Sequence, residues 1–127
     1  MSVDLVRAAR ELCAVAGWDA TLAGARAHLY DVVGRMWSAA EAGTTISEAL
    51  LAEAWGAAVT TAMESRAAVA DLYAVAGTSA LYVDFPLERR LRDIQAMMQH
   101  VVVQPLWLEQ AGAVKMGLPP TNPLFAV

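Results

Sequence analysis

His100 is the side chain best suited to chemistry in this sequence. An imidazole ordinarily titrates near about 6.5, which suits a general acid or base. Ala96 stands one helical turn before it and leaves space beside the ring. Gln104 stands one turn after and is expected to hold a ring nitrogen. Arg92 and Asp93 lie about two turns earlier. Two turns of helix span roughly 11 Å, so Asp93 cannot bond the ring within one helix, and this segment alone offers no catalytic triad. The plain alternative is a half-buried histidine bonded to a backbone carbonyl.

The other chemical candidates are weaker. His28 is flanked at helical spacing by Gly24, Asp31 and Arg35 and reads as a surface or inter-helix residue. Two histidines and one cysteine, with no carboxylate at the paired spacing of a helical di-metal site, predict no metal. Arg89, Arg90 and Arg92 cluster at the start of a helix, where cations gain nothing from the dipole. They suit an acidic partner or a phosphate, or Glu88 pairs locally with Arg92. No glycine loop of the phosphate-cradling kind is present.

Composition bounds the rest. The 127 residues predict one domain, 1–127. Hydrophobic residues make up 57% and charged ones 17%. That is more apolar than a typical soluble domain, so part of the surface is expected to meet another subunit. Net charge is −4 with a single lysine, so nucleic acid is not an expected partner. Asp4, Arg7, Arg10 and Glu11 occupy the place of a signal peptide's apolar run, and no uncharged stretch is long enough to cross a membrane. A reducing cytoplasm is the expected setting. Cys13, alone on an apolar helix face, is expected to be a buried, inert thiol.

The periodicity predicts helices throughout. Ser2 caps a first helix that Gly17 stops near Ala16, with Trp18 and Asp19 as a joint. Leu22, Ala25, Leu29, Val32, Met36 and Ala39 form one apolar stripe ending at Gly43. Thr45 and Glu48 read as a capping box opening a long helix to Ala76, stopped by Gly77. Gly24, Gly34 and Gly56 interrupt helix interiors, which predicts close approach of another helix. Asp84 precedes Pro86 at a helix start, and the stripe Leu87, Leu91, Ile94, Met98, Val101 carries that helix toward a break at Pro105. A short helix from Leu106 to Met116 stops at Gly117, and Leu124 and Phe125 of the extended tail are expected to dock. The predicted fold is all-α: a four-helix up-down bundle with a short extra helix and an extended C-terminal tail.

An ordered set of short motifs then becomes visible. Ala76-Gly77-Thr78-Ser79-Ala80 is followed by Pro86-Leu87-Glu88-Arg89, Arg92-Asp93, Gln99-His100, Pro105 and Gly117-Leu118-Pro119-Pro120. Together these resemble the C-terminal helical domain of acyl-CoA-dehydrogenase-fold flavoproteins, closest to the flavin-dependent monooxygenase branch. The resemblance is strongest from about residue 72 to 125, extends back to about 22, and fades before that. It implies a bundle at the core of a tetramer. It implies that His100 faces flavin and substrate as base or hydrogen-bond partner. It further implies that Arg92 and Asp93 line the cofactor's neighbourhood, and that Ser79 sits at a turn beside a neighbouring flavin site. With Ala96, Gln99 and Gln104 these are the candidate site residues.

Members of that family carry an N-terminal helical domain and a β-barrel ahead of the bundle, and neither occurs in these 127 residues. The expectation is therefore no cofactor held by this chain alone, with flavin bound only where a partner chain supplies the barrel. The leading reading is an oligomeric bundle subunit, homomeric or paired with a flavoprotein-like chain, that completes an oxidoreductase acting on a small organic substrate. The alternative is a cofactor-free helical enzyme, a cyclase, isomerase or dehydratase of secondary metabolism, using His100 as acid–base. A third reading is a fragment with packing but no activity.

Overall fold

The computed structural model describes residues 3–82 and 86–122. The expectations on Ser2, Asp84, Leu124 and Phe125 lie outside the described residues. The fold is all-α, with four α-helices and no strand among the described residues. They are α1 (Val3–Glu41), α2 (Glu48–Ala76), α3 (Pro86–Met97) and α4 (Leu106–Lys115). Two short 3-10 segments, Gly77–Leu81 and Val101–Val103, precede α3 and α4.

The first two expected helices are one. Helix α1 runs for 39 residues, about 58 Å, straight through Gly17 and the expected joint. An interior glycine costs about 1 kcal/mol relative to alanine. Trp18 offsets that by donating its indole N–H to Asp71 of α2 at 2.7 Å. The real stops are glycines in the left-handed region: Gly43 (φ 65°) after α1, Gly77 (φ 59°) after α2 and Gly117 (φ 75°) after α4.

The capping residue of α2 is also different from the expected one. Ser47, in extended conformation, accepts from the Leu50 N–H at 3.2 Å and takes the place assigned to Thr45.

Helices α1 and α2 are antiparallel. The pairs Trp18–Asp71, Thr61–Ala25 and Arg35–Glu53 show numbers rising on one helix as they fall on the other. Helix α2 packs against α1, α3, α4 and both 3-10 segments and is the hub of the molecule. The core lies where α2 meets α4: Leu51, Ala52 and Val59 against Trp107 and Ala111, with Met36, Ile46 and Trp55 at its edge. Buried Gln110 of α4 accepts the backbone N–H groups of Thr121 and Asn122, at 2.7 and 3.0 Å, and so ties down the start of the tail.

The core is small for so apolar a chain. Val32 and Val59 are the largest fully buried side chains, while Leu12, Trp37 and Tyr82 are each about two-thirds or more exposed. The helix glycines have no close neighbour either. A Cβ built on Gly24, Gly34 or Gly56 meets nothing within 4 Å among the described residues, so none of these glycines is required by the expected close packing. Cys13 is exposed rather than buried, because it lies on a side of α1 that α2 does not cover.

Candidate functional site

The apolar stripe of α3 predicts a helix reaching past His100, yet the helix closes earlier. The N–H groups of Gln99 and His100 reach back only three residues, to Ala96 and Met97, at 3.1 and 3.0 Å. Three consecutive β-branched residues, Val101 to Val103, then favour leaving the α-helix. His100 therefore stands in extended conformation (φ −71°, ψ 136°) at the start of the second 3-10 segment.

This turn is held by its backbone. The His100 carbonyl accepts from the Val103 N–H and from the Gln104 side-chain amide, at 3.1 and 3.3 Å. The same amide donates to the Met98 carbonyl at 2.8 Å. The indole N–H of Trp107 donates to the Val101 carbonyl. Gln104 thus grips the backbone around His100, in place of the ring nitrogen that its spacing predicts. The ring's Nδ1 accepts from the Val102 N–H at 3.3 Å. A neutral imidazole bonded this way carries its proton on Nε2. The ring is solvent-exposed.

The supporting candidates share the outer surface. Arg92, Asp93 and Ala96 fall on one exposed side of α3, opposite Leu87, Leu91 and Ile94, and Gln99 is exposed on the turn that follows. Arg92 pairs with Glu88 at 2.8 Å, and Asp93 lies 3.7 Å from Arg89. Both are i, i+4 pairs in water, worth a few tenths of a kcal/mol. The local pairing of Glu88 and Arg92 is the arrangement adopted. Ser79 is exposed on the Gly77–Leu81 segment, which packs on α2 and α3. These exposed side chains do not enclose the ring in a pocket.

Several open clefts lie elsewhere among the described residues, and two of them border the candidate residues. The larger, about 640 Å³, separates the start of α1 (Val6, Arg7, Arg10, Glu11) from the end of α2 and the turn beyond it (Ala74, Val75, Gly77, Thr78). Its wall ends one residue short of Ser79. The smaller, about 270 Å³, is floored by Gly56, Ala57, Ala111 and Gly112 and rimmed by His28, Glu53, Thr60 and Lys115. Sequence reading left His28 as a surface or inter-helix residue and gave no sign of its company, which comes from α2 and α4. Glu53 and then Asp31 favour the charged form of Arg35 beside this cleft and hold its pKa above the ordinary value. No group of three or more metal-ligating side chains lies together among the described residues. No helix among them is long and apolar enough to cross a membrane.

The sequence is similar to known proteins in one consistent direction. The family described as acyl-CoA dehydrogenase, C-terminal domain, matches residues 6–105, which takes in nearly all of α1 and ends at Pro105. A pigment production hydroxylase of Rhodococcus erythropolis is 31% identical over 117 residues, which is 91% of this chain and 30% of the relative. The chain thus spans under a third of that relative's length. No solved structure matches the chain. An all-helical fold, a matched span covering most of the sequence and an aligned hydroxylase agree, and the chain belongs to the acyl-CoA dehydrogenase C-terminal domain family.

Proposed function

We propose that this chain is an oligomeric bundle subunit of a cytoplasmic flavin-dependent oxidoreductase, of the monooxygenase kind, and that a partner chain supplies the flavin-binding barrel. His100 then faces the space between the two as base or hydrogen-bond partner for a small organic substrate. Arg92, Asp93, Ala96 and Gln99 line that space, Gln104 fixes the turn, and Ser79 stands at the edge of a neighbouring flavin site. The observation that carries this reading is an exposed imidazole on a turn whose backbone is tied by Gln104 and Trp107. A ring so placed is positioned in advance but unenclosed, and a second chain is what encloses it. Family membership and the hydroxylase relative support the flavin chemistry. The unspent apolar surface supports assembly.

The test is isolation of the chain from its own cells. The expected complex contains a barrel-bearing flavoprotein in fixed ratio, shows flavin absorbance and oxidises substrate. His100→Ala keeps the complex and its flavin while turnover falls by about 100-fold or more, the usual scale for a lost acid–base group. A monomer free of flavin and partner, or unchanged turnover in His100→Ala, overturns the reading.

A further inference from the structure

Helix α1 carries a second apolar stripe that lies exposed among the described residues. Leu5, Leu12, Val15, Tyr30, Val33 and Trp37 are all at least half exposed. At 100° per residue they fall within an arc of roughly 80°, well to one side of the Trp18, Ala25, Val32 line that faces α2. Only two charged side chains, Asp19 and Arg26, lie in the middle of this arc. Arg26 is kept on the stripe by stacking over the Tyr30 ring, 5.1 Å from its centroid.

The spacing on the two halves of the stripe is matched. From Ala8 through Leu12 and Val15 to Asp19 the steps are 4, 3 and 4 residues, and from Trp37 back through Val33 and Tyr30 to Arg26 they are again 4, 3 and 4. Two copies of α1 laid antiparallel about a two-fold axis between Leu22 and Ala23 therefore meet in register. Asp19 faces Arg26 of the second copy, twice. Val15 faces Tyr30, Leu12 faces Val33, and small Ala8 faces Trp37. A parallel pair would set Asp19 on Asp19 and Arg26 on Arg26, which like-charge repulsion disfavours. Six large apolar side chains on each of two copies offer on the order of 1,000 Å² of area, about the threshold for a specific interface.

We propose that α1 self-associates across this stripe as an antiparallel, two-fold dimer whose register is set by reciprocal Asp19–Arg26 pairs. This deepens the assembly reading above by naming the face and the occupant, a second copy of the chain. The apolar side chains supply the association, and the two charges select orientation and partner.

Sedimentation equilibrium on the full chain tests it, with helicity followed by circular dichroism. The wild type is expected to be a dimer. Asp19→Arg and Arg26→Asp each place like charges together at two points and weaken the dimer by about tenfold or more. The double reversal restores opposite pairing and recovers most of that loss. Tyr30→Ser with Val33→Ser gives a monomer of unchanged helicity. A monomeric wild type at high concentration overturns the proposal, as does a dimer indifferent to the single reversals or one the double reversal does not rescue. A dimer formed through another face overturns this proposal while leaving the proposed function standing. A rescued dimer that never meets a flavoprotein does the reverse.

Discussion

The indole of Trp107 on α4 lies flat on that of Trp55 on α2, ring centroids 3.9 Å apart and planes 8° from parallel, and its N–H reaches the Val101 carbonyl one residue past His100. One side chain thereby joins the core to the candidate site. Trp107→Ala is expected to destabilise the fold by about 3–5 kcal/mol, through lost burial and the cavity left behind. Trp107→Phe keeps a ring on Trp55 and loses only the hydrogen bond, about 1 kcal/mol. Denaturant unfolding distinguishes the two, and equal losses would show that the stack contributes little.

Gln104 acts on the His100 turn with less effect on the whole. Its amide donates to the carbonyls of Met98 and His100, the second of which also accepts from the Val103 N–H. Gln104→Ala is expected to cost about 1–2 kcal/mol in global stability. Amide exchange should rise across residues 98–104 and stay unchanged in α1. Exchange raised equally everywhere would mean that Gln104 supports the fold in general and not this turn.

The start of α2 separates two capping schemes. Ser47→Ala removes the acceptor of the Leu50 N–H and should cost about 1 kcal/mol. Thr45→Ala, at an exposed position before the cap, should change stability by less than about 0.5 kcal/mol. Thermal unfolding of the pair checks this, and a larger loss at Thr45 would restore the capping box read from sequence.

Much of the fold was legible where local chemistry decides. Gly43, Gly77 and Gly117 read as helix stops, and each adopts the positive φ that a glycine allows. Gly17 carried the same signal and stops nothing, because Trp18 is tied to Asp71, 53 residues away in sequence. Periodicity placed the apolar face of α3 correctly but ran it too far, since the 3.6-residue pattern does not register a change to three-residue bonding at Ala96 and Met97. The grip of Gln104 on carbonyls rather than on the His100 ring follows from that early end, and the tail tether at Gln110 is set by tertiary contact, which a sequence pattern does not carry.

The glycines give a signed pair of outcomes. Gly17 is helical with open space where a Cβ would stand. Gly17→Ala is therefore expected to stabilise the chain by about 0.5–1 kcal/mol. Gly77 holds φ 59° with its N–H on the Ala74 carbonyl, and Gly77→Ala should cost about 1–2 kcal/mol. Chemical denaturation reads both signs, and a destabilising Gly17→Ala would mean that this side of α1 is covered in solution.

Cys13 provides the last check, because exposure and sequence expectation diverge there. A thiol on the face turned toward α2 would react only after unfolding. The structure sets Cys13 on the solvent side of α1, roughly a quarter-turn or more around from the Leu12, Val15 and Tyr30 stripe. A disulfide-exchange reagent should therefore label it in the folded protein at a rate within about tenfold of the unfolded chain, since reactivity follows access and thiolate fraction. Labelling should proceed in the self-associated state too, as the thiol lies off the proposed interface. A rate limited by global unfolding would place Cys13 inside a contact and move the interface around α1. A rate that falls with protein concentration would do the same, and would identify that contact as one between copies.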